Sequence, residues 1–151
     1  MKHEYVKDWM SRDVITITPD VTLPEAHQLM TENDIRRLPV VKDGRLVGIV
    51  TLGDVREAEP SGATSLSIWE LNYVISRLTV EKIMTPEPRV IVQDATIREA
   101  SKMMLDYKIS GLPVVDDDGR LVGVITESDI FRMVVEDWHL DFVQNKAVSI
   151  G

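Results

Sequence analysis

Apolar residues recur along this chain with two periods, and the switch between them marks its elements. Val14 to Thr18 alternates β-branched residues and reads as a short strand, which Pro19-Asp20 breaks. From Leu23 the period becomes helical: Leu23, Ala26, Leu29 and Met30 share one face, and Thr22-x-x-Glu25 in front of them predicts a capping box. Leu38 to Val41 is a continuous apolar run short enough for a buried strand. Lys42-Asp43-Gly44-Arg45 then reads as a turn with glycine at a positive φ. Leu46 to Thr51 is the return strand, and Gly48 inside it marks close approach by another backbone or a ligand.

The same succession is written a second time. Val6 to Val55 aligns with Val80 to Ile130, with Asp118 as one extra residue, and 21 of the 50 aligned positions are identical. Unrelated sequences of average composition would share roughly 3. Thr96-x-x-Glu99 repeats the capping box, and Ile97, Ala100, Met103 and Met104 repeat the apolar face. Methionines at this spacing belong to a core. The order predicted for each copy is strand, helix, strand, hairpin, strand, helix.

The repeat spans residues 6–56 and 80–132. Residues 57–79 form a linker, in which Pro60-Ser61-Gly62 is loop chemistry and Ser67-x-x-Glu70 opens a helix with Ile68, Leu71, Val74, Ile75 and Leu78 on one face. Residues 133–151 form a tail that continues a helix through Met133 and Val134 and then passes Trp138 and Phe142. A copy of about 50–60 residues buries too little surface to be comfortably stable alone, so the two are expected to pack as one pseudo-twofold module of mixed α/β class.

Composition narrows the function. The hydrophobic content of 44% supports a real core, and no apolar run approaches a membrane span. The net charge of −8 argues against a nucleic-acid partner. The absence of cysteine removes disulfides and a thiol nucleophile, and with no signal-peptide pattern the expectation is cytoplasmic. Asp116-Asp117-Asp118-Gly119 is a solvated turn rather than a calcium loop, because its acids are consecutive and strands flank it. Asp137-x-His139-x-Asp141 has metal-ligand residue types but sits in a polar tail. There is no P-loop and no Gly-x-Gly-x-x-Gly, and His3, His27 and His139 lie far apart, off the repeated motif. An enzyme is not expected, nor a required cofactor.

The candidate chemistry is Thr51-Leu52-Gly53-Asp54 at a strand–helix junction, repeated at Thr126 and Asp129. Two readings stay open. Thr51 is a helix N-cap with Asp54 in the first turn. Alternatively Asp54 accepts hydrogen bonds from ribose hydroxyls while Thr51 reaches ribose or phosphate. Arg36-Arg37 precedes the buried strand, and a parallel βαβ arrangement would bring it near Thr51, where two guanidiniums suit a polyphosphate. The equivalents in copy two are Ser110-Gly111, so the two sites are expected to differ.

Ile35 to Val41 with Gly48 to Asp54, and Ile109 to Val115 with Gly123 to Asp129, resemble a tandem pair of CBS domains, the motif named after cystathionine β-synthase. The resemblance covers nearly the whole chain, and the 67–78 helix is similar to that of free-standing pairs of the acetoin-utilisation type. It implies two β-α-β-β-α repeats and a regulatory module without catalysis. The implied ligand is AMP, ADP, ATP or S-adenosylmethionine, bound in clefts between the repeats. Carried over by position, it implies ribose contacts at Asp54 and Asp129, ribose or phosphate contacts at Thr51 and Thr126, and phosphate contacts at Arg36 and Arg37. Thr16 and Val90 fall where the first strand meets the base. Pro39, Ser110, Gly111 and Pro113 complete the implied set. The expected assembly is a homodimer, with an effector enzyme or transporter as a further partner. The competing reading is a dimerisation scaffold with empty clefts.

Overall fold

The computed structural model describes residues 4–59 and 67–136. Pro60 to Gly62, His3, Trp138, Phe142 and the Asp137/His139/Asp141 group lie outside them. The helices are α1 (Val6–Trp9), α2 (Leu23–Glu32), α3 (Leu52–Ala58), α4 (Ile68–Arg77), α5 (Val80–Ile83) and α6 (Ile97–Tyr107). A seventh, α7, runs over residues 127–136. The strands are β1 (Arg37–Lys42), β2 (Arg45–Thr51), β3 (Thr85–Pro86), β4 (Ile91–Val92), β5 (Gly111–Val115) and β6 (Leu121–Thr126), in two three-stranded sheets ordered β1-β2-β3 and β4-β5-β6. No helix among the described residues is long and apolar enough to cross a membrane.

The chain divides into two compact units, and their boundaries are not those of the repeat. One unit is contiguous, Ile15–Pro88; the other joins Met1–Val14 to Arg89–Gly151. The leading segment of each copy therefore belongs with the body of the other copy. Within the contiguous unit, the amides of Val80 and Glu81 donate to Val21 and Pro19 at 2.9 and 3.1 Å, and Leu23 donates to Leu78 at 2.8 Å. Within the discontinuous unit the aligned residues repeat this: Val6 and Lys7 donate to Ala95 and Gln93 at 2.8 and 3.0 Å, and Ile97 donates to Glu4 at 2.7 Å.

In the contiguous unit, β1 and β2 form an antiparallel hairpin with Arg37 opposite Thr51 and Lys42 opposite Arg45. Its turn places both Asp43 (φ 53°) and Gly44 (φ 78°) in the left-handed region, the conformation a two-residue hairpin loop demands. The Val14–Thr18 strand does not form. Ile17 alone bridges β1 in parallel, because Pro19 removes an amide and turns the chain two residues later. Its counterpart Ile91–Val92 reaches strand length as β4, parallel to β5. The core gathers Ile17, Leu23, Ala26, Met30, Leu38, Val40, Val50, Val55 and Val80.

The discontinuous unit has the equivalent core, from Val6, Met10 and Ile91 through Ile97, Ala100 and Met104 to Leu112, Val114, Ile125 and Met133. The turn after β5 is held by Asp116, whose Oδ1 accepts from the amides of Asp118 and Arg120, both at 2.9 Å, with Gly119 at φ 81°. Gly48 in β2 and Gly123 in β6 meet close neighbours. A Cβ on Gly48 would lie 2.4 Å from Met84 Sδ, and one on Gly123 would lie 2.7 Å from the Ser11 carbonyl.

The capping boxes differ. At Thr22/Glu25 and Thr51/Asp54 both reciprocal bonds form. At Ser67/Glu70 and Thr96/Glu99 only the hydroxyl accepts, from the third amide of the helix. Helix α4 packs against α2 with Leu71 and Ile75 half-buried, but it buries no residue fully; Ile68, Trp69 and Tyr73 are 68%, 80% and 58% exposed.

Candidate functional site

The twelve residues singled out by the sequence fall into two sets, one in each unit. Thr16, Arg36, Arg37, Pro39, Thr51 and Asp54 belong to the contiguous unit; Val90, Ser110, Gly111, Pro113, Thr126 and Asp129 belong to the other.

In the first set the antiparallel register, rather than a parallel crossover, sets Arg37 directly across from Thr51. The Leu52 amide donates to the Arg36 carbonyl at 2.8 Å, tying the arginine pair to the first turn of α3. Thr51 caps that helix: its Oγ1 accepts from the Asp54 amide at 3.1 Å, and its own amide donates to Asp54 Oδ2 at 2.9 Å. Asp54 Oδ1 takes no hydrogen bond from a described residue. Arg36 is exposed and Arg37 half-buried. Thr16 is exposed beside Ile17, whose amide donates to the Pro39 carbonyl at 3.0 Å. Pro39 itself is fully buried. The Thr16 end of this arrangement lies about two strand residues, roughly 7 Å, along β1 from Arg37.

The second set repeats the frame with different chemistry. Gly111 stands opposite Thr126, and the Glu127 amide donates to the Ser110 carbonyl at 3.0 Å, matching Leu52 and Arg36. Val90, exposed, precedes β4, which pairs with Val114 beside the buried Pro113. Here the aspartate accepts at both oxygens. Asp129 Oδ2 accepts from the Thr126 amide at 2.9 Å and from its hydroxyl at 3.2 Å, and Oδ1 accepts from Arg132 Nη2 at 2.6 Å. Asp129 is 7% exposed, the one charged side chain in the core among the described residues. Arg132 had gone unremarked in the sequence, although its three-residue spacing from Asp129 on a helix is a recognisable ion-pair signal. Its aligned counterpart is Glu57, an inversion of charge. No cluster of three or more metal-ligating side chains exists among the described residues.

Each set thus offers a carboxylate at a strand–helix junction. The first adds Arg37 at the start of the facing strand and Arg36 just before it, residue types suited to a ligand that carries both a diol and an anion.

Comparison with known proteins places this frame. Residues 6–61 and 80–136 each match the CBS domain, and the chain belongs to that family. It is 39% identical over 125 residues to an inosine-5′-monophosphate dehydrogenase of Korarchaeum cryptofilum, covering 83% of this chain but only 23% of that protein. Among solved structures it resembles the CBS domain pair of protein MJ0100 in complex with 5′-methylthioadenosine and S-adenosyl-L-methionine, with a TM-score of 0.72 and 31% identity over 88% of this chain and 97% of that one. CBSX2 of Arabidopsis thaliana in complex with AMP gives 0.74 and 29%, again over 88% and 97%. The acetoin utilization protein AcuB from Vibrio cholerae gives 0.74 and 29%, over 91% and 94%.

Proposed function

We propose that this chain is a regulatory module that binds an adenosyl ligand, AMP, ADP, ATP or S-adenosylmethionine, and performs no catalysis itself. The observation that carries the reading is the open Oδ1 of Asp54, in a cap whose Thr51 stands opposite Arg37 with Arg36 next in the chain. A ribose diol needs an acceptor pair of that kind, and a phosphate or sulfonium-bearing tail sets the choice among adenosyl ligands. The relatives support the reading: MJ0100 holds S-adenosylmethionine and methylthioadenosine, and CBSX2 holds AMP, on the same fold. In the dehydrogenase the matched stretch is a minor part of a longer enzyme, which supports a module that serves a catalytic activity rather than supplying one.

A thermal-shift series with AMP, ADP, ATP and S-adenosylmethionine tests this. One of them at 100 times its dissociation constant stabilises the fold by about 2.7 kcal/mol. A flat response to all four sinks the proposal and favours the scaffold reading, which the exposed Ile68, Trp69 and Tyr73 of α4 also support.

A further inference from the structure

We propose that Arg132 is a specificity-determining residue that competes with a ribose diol for Asp129, making the second copy the weaker of two unequal adenosyl sites. The inference rests on the function proposed above and concerns how that function is divided between the copies.

A carboxylate binds a vicinal diol well when each oxygen can accept one hydroxyl. Asp54 meets that condition, because the Thr51 amide occupies one position on Oδ2 and Oδ1 is open. Asp129 does not. Two donors from Thr126 converge on Oδ2, and Arg132 takes one of the two positions on Oδ1 through a 2.6 Å charge-assisted bond, so a single position is left for two hydroxyls. A diol arriving there competes with the guanidinium for Oδ1 and with the Thr126 hydroxyl for Oδ2. Arg132 can be displaced, since its side chain is 55% exposed and anchored by a single ion pair to Asp129, whose side chain is 11% exposed. The penalty is therefore intermediate between that of an exposed pair and that of a buried charge-assisted bond, about three- to tenfold in affinity. Copy one carries Glu57 at this position, which cannot donate to Asp54 and so does not contest its diol acceptor. This asymmetry is separate from that of Arg36-Arg37 against Ser110-Gly111. The arginine pair addresses the anion, whereas Arg132 addresses the sugar.

Calorimetric titration with adenosine, which has the diol but no phosphate, separates the two. Arg132→Ala is expected to tighten the weaker binding event about three- to tenfold, and adding Asp129→Ala should abolish the gain. Glu57→Arg is expected to weaken the stronger event by a similar factor, while Glu57→Leu, which has nothing to donate, gives no such loss. This second pair of variants keeps the test alive if Arg132→Ala does not fold. Unchanged or weakened adenosine binding in Arg132→Ala, with the wild type still binding, overturns the role of Arg132 and leaves the adenosyl function standing. A loss for AMP but not for adenosine shows Arg132 to be a phosphate ligand and likewise overturns it. A wild type that binds neither compound overturns both.

Discussion

Gly123 lies against the backbone of Ser11 with no room for a side chain. A Cβ at 123 would sit 2.7 Å from the Ser11 carbonyl oxygen, which also accepts from the Val124 amide at 3.0 Å, while the Ser11 amide donates back to Val124 at 2.9 Å. The crowded atom is a backbone oxygen pinned by a bridge, so it cannot step aside. At Gly48 the nearest atoms are the sulfur and Cγ of Met84, a flexible side chain. Gly123→Ala is therefore expected to destabilise by about 1–3 kcal/mol, and Gly48→Ala by less. Urea denaturation of the two variants side by side checks the order; equal losses would mean that the Met84 side chain is as immovable as backbone.

Asp54 has two roles that can be separated. It completes the cap of α3, so Asp54→Ala should cost the unliganded protein about 0.5–1 kcal/mol, or roughly 1–4 °C in melting temperature. It should also remove most of the ligand-induced shift at copy one. Asp54→Asn keeps an acceptor for the Thr51 amide and should retain the stability but not the binding. Melting curves with and without AMP distinguish the two losses.

Arg36→Ala should weaken AMP by about tenfold or more and adenosine little, because a charge-assisted contact to phosphate contributes about 1.5–3 kcal/mol. Its side chain is exposed, so the melting temperature should hardly move. Titration with both ligands decides the point. Equal losses would rule out a phosphate contact.

The exposed face of α4 predicts self-association. Ile68, Trp69 and Tyr73 form a patch on a helix that buries nothing fully, and aromatic residues are the usual anchors where a patch meets its own copy. Light scattering at micromolar concentration should give twice the monomer mass, and Trp69→Glu should halve it. A monomer in both cases would end the idea.

Acid should erase a small local contribution at the start of the first copy. The Thr18 hydroxyl donates to Asp20 and holds its carboxyl below the ordinary value of 3.8. A lowered folded pKa gives stability that is present above the unfolded value and lost as pH falls through the folded one. Thr18→Val should therefore be less stable than wild type at pH 6, with the gap closing below about pH 3.8. Thermal melts at pH 6 and pH 3 check the sign.

The elements legible in the sequence were those whose signal is local. The Asp43-Gly44 turn, the Thr22 and Thr51 caps and the helical face of Leu23, Ala26 and Met30 all depend on residues within one turn or hairpin. Val14 to Thr18 has the composition of a strand, yet only Ile17 pairs with β1, because pairing depends on where Pro19 sends the chain. The partners of Gly48 and Gly123 were legible as a close approach but not as Met84 and Ser11, which lie 36 and 112 residues away in the chain. Asp129 was found through its repetition. Arg132 was not, because the repeat places a glutamate in its position and comparison of the copies draws the eye to what they share.

The exchange of leading segments bears on how this protein is made. Ile15–Pro88 is contiguous, so every strand and helix of that unit has left the ribosome once its last residues emerge. Val6–Trp9 is synthesised before its partners Ala95 and Gln93, so it must remain unsatisfied while more than eighty further residues are added. At about 5–20 residues per second that interval lasts several seconds. During it Val6 and Met10 are exposed, and a nascent chain cut short after the first copy leaves them with nothing to close against.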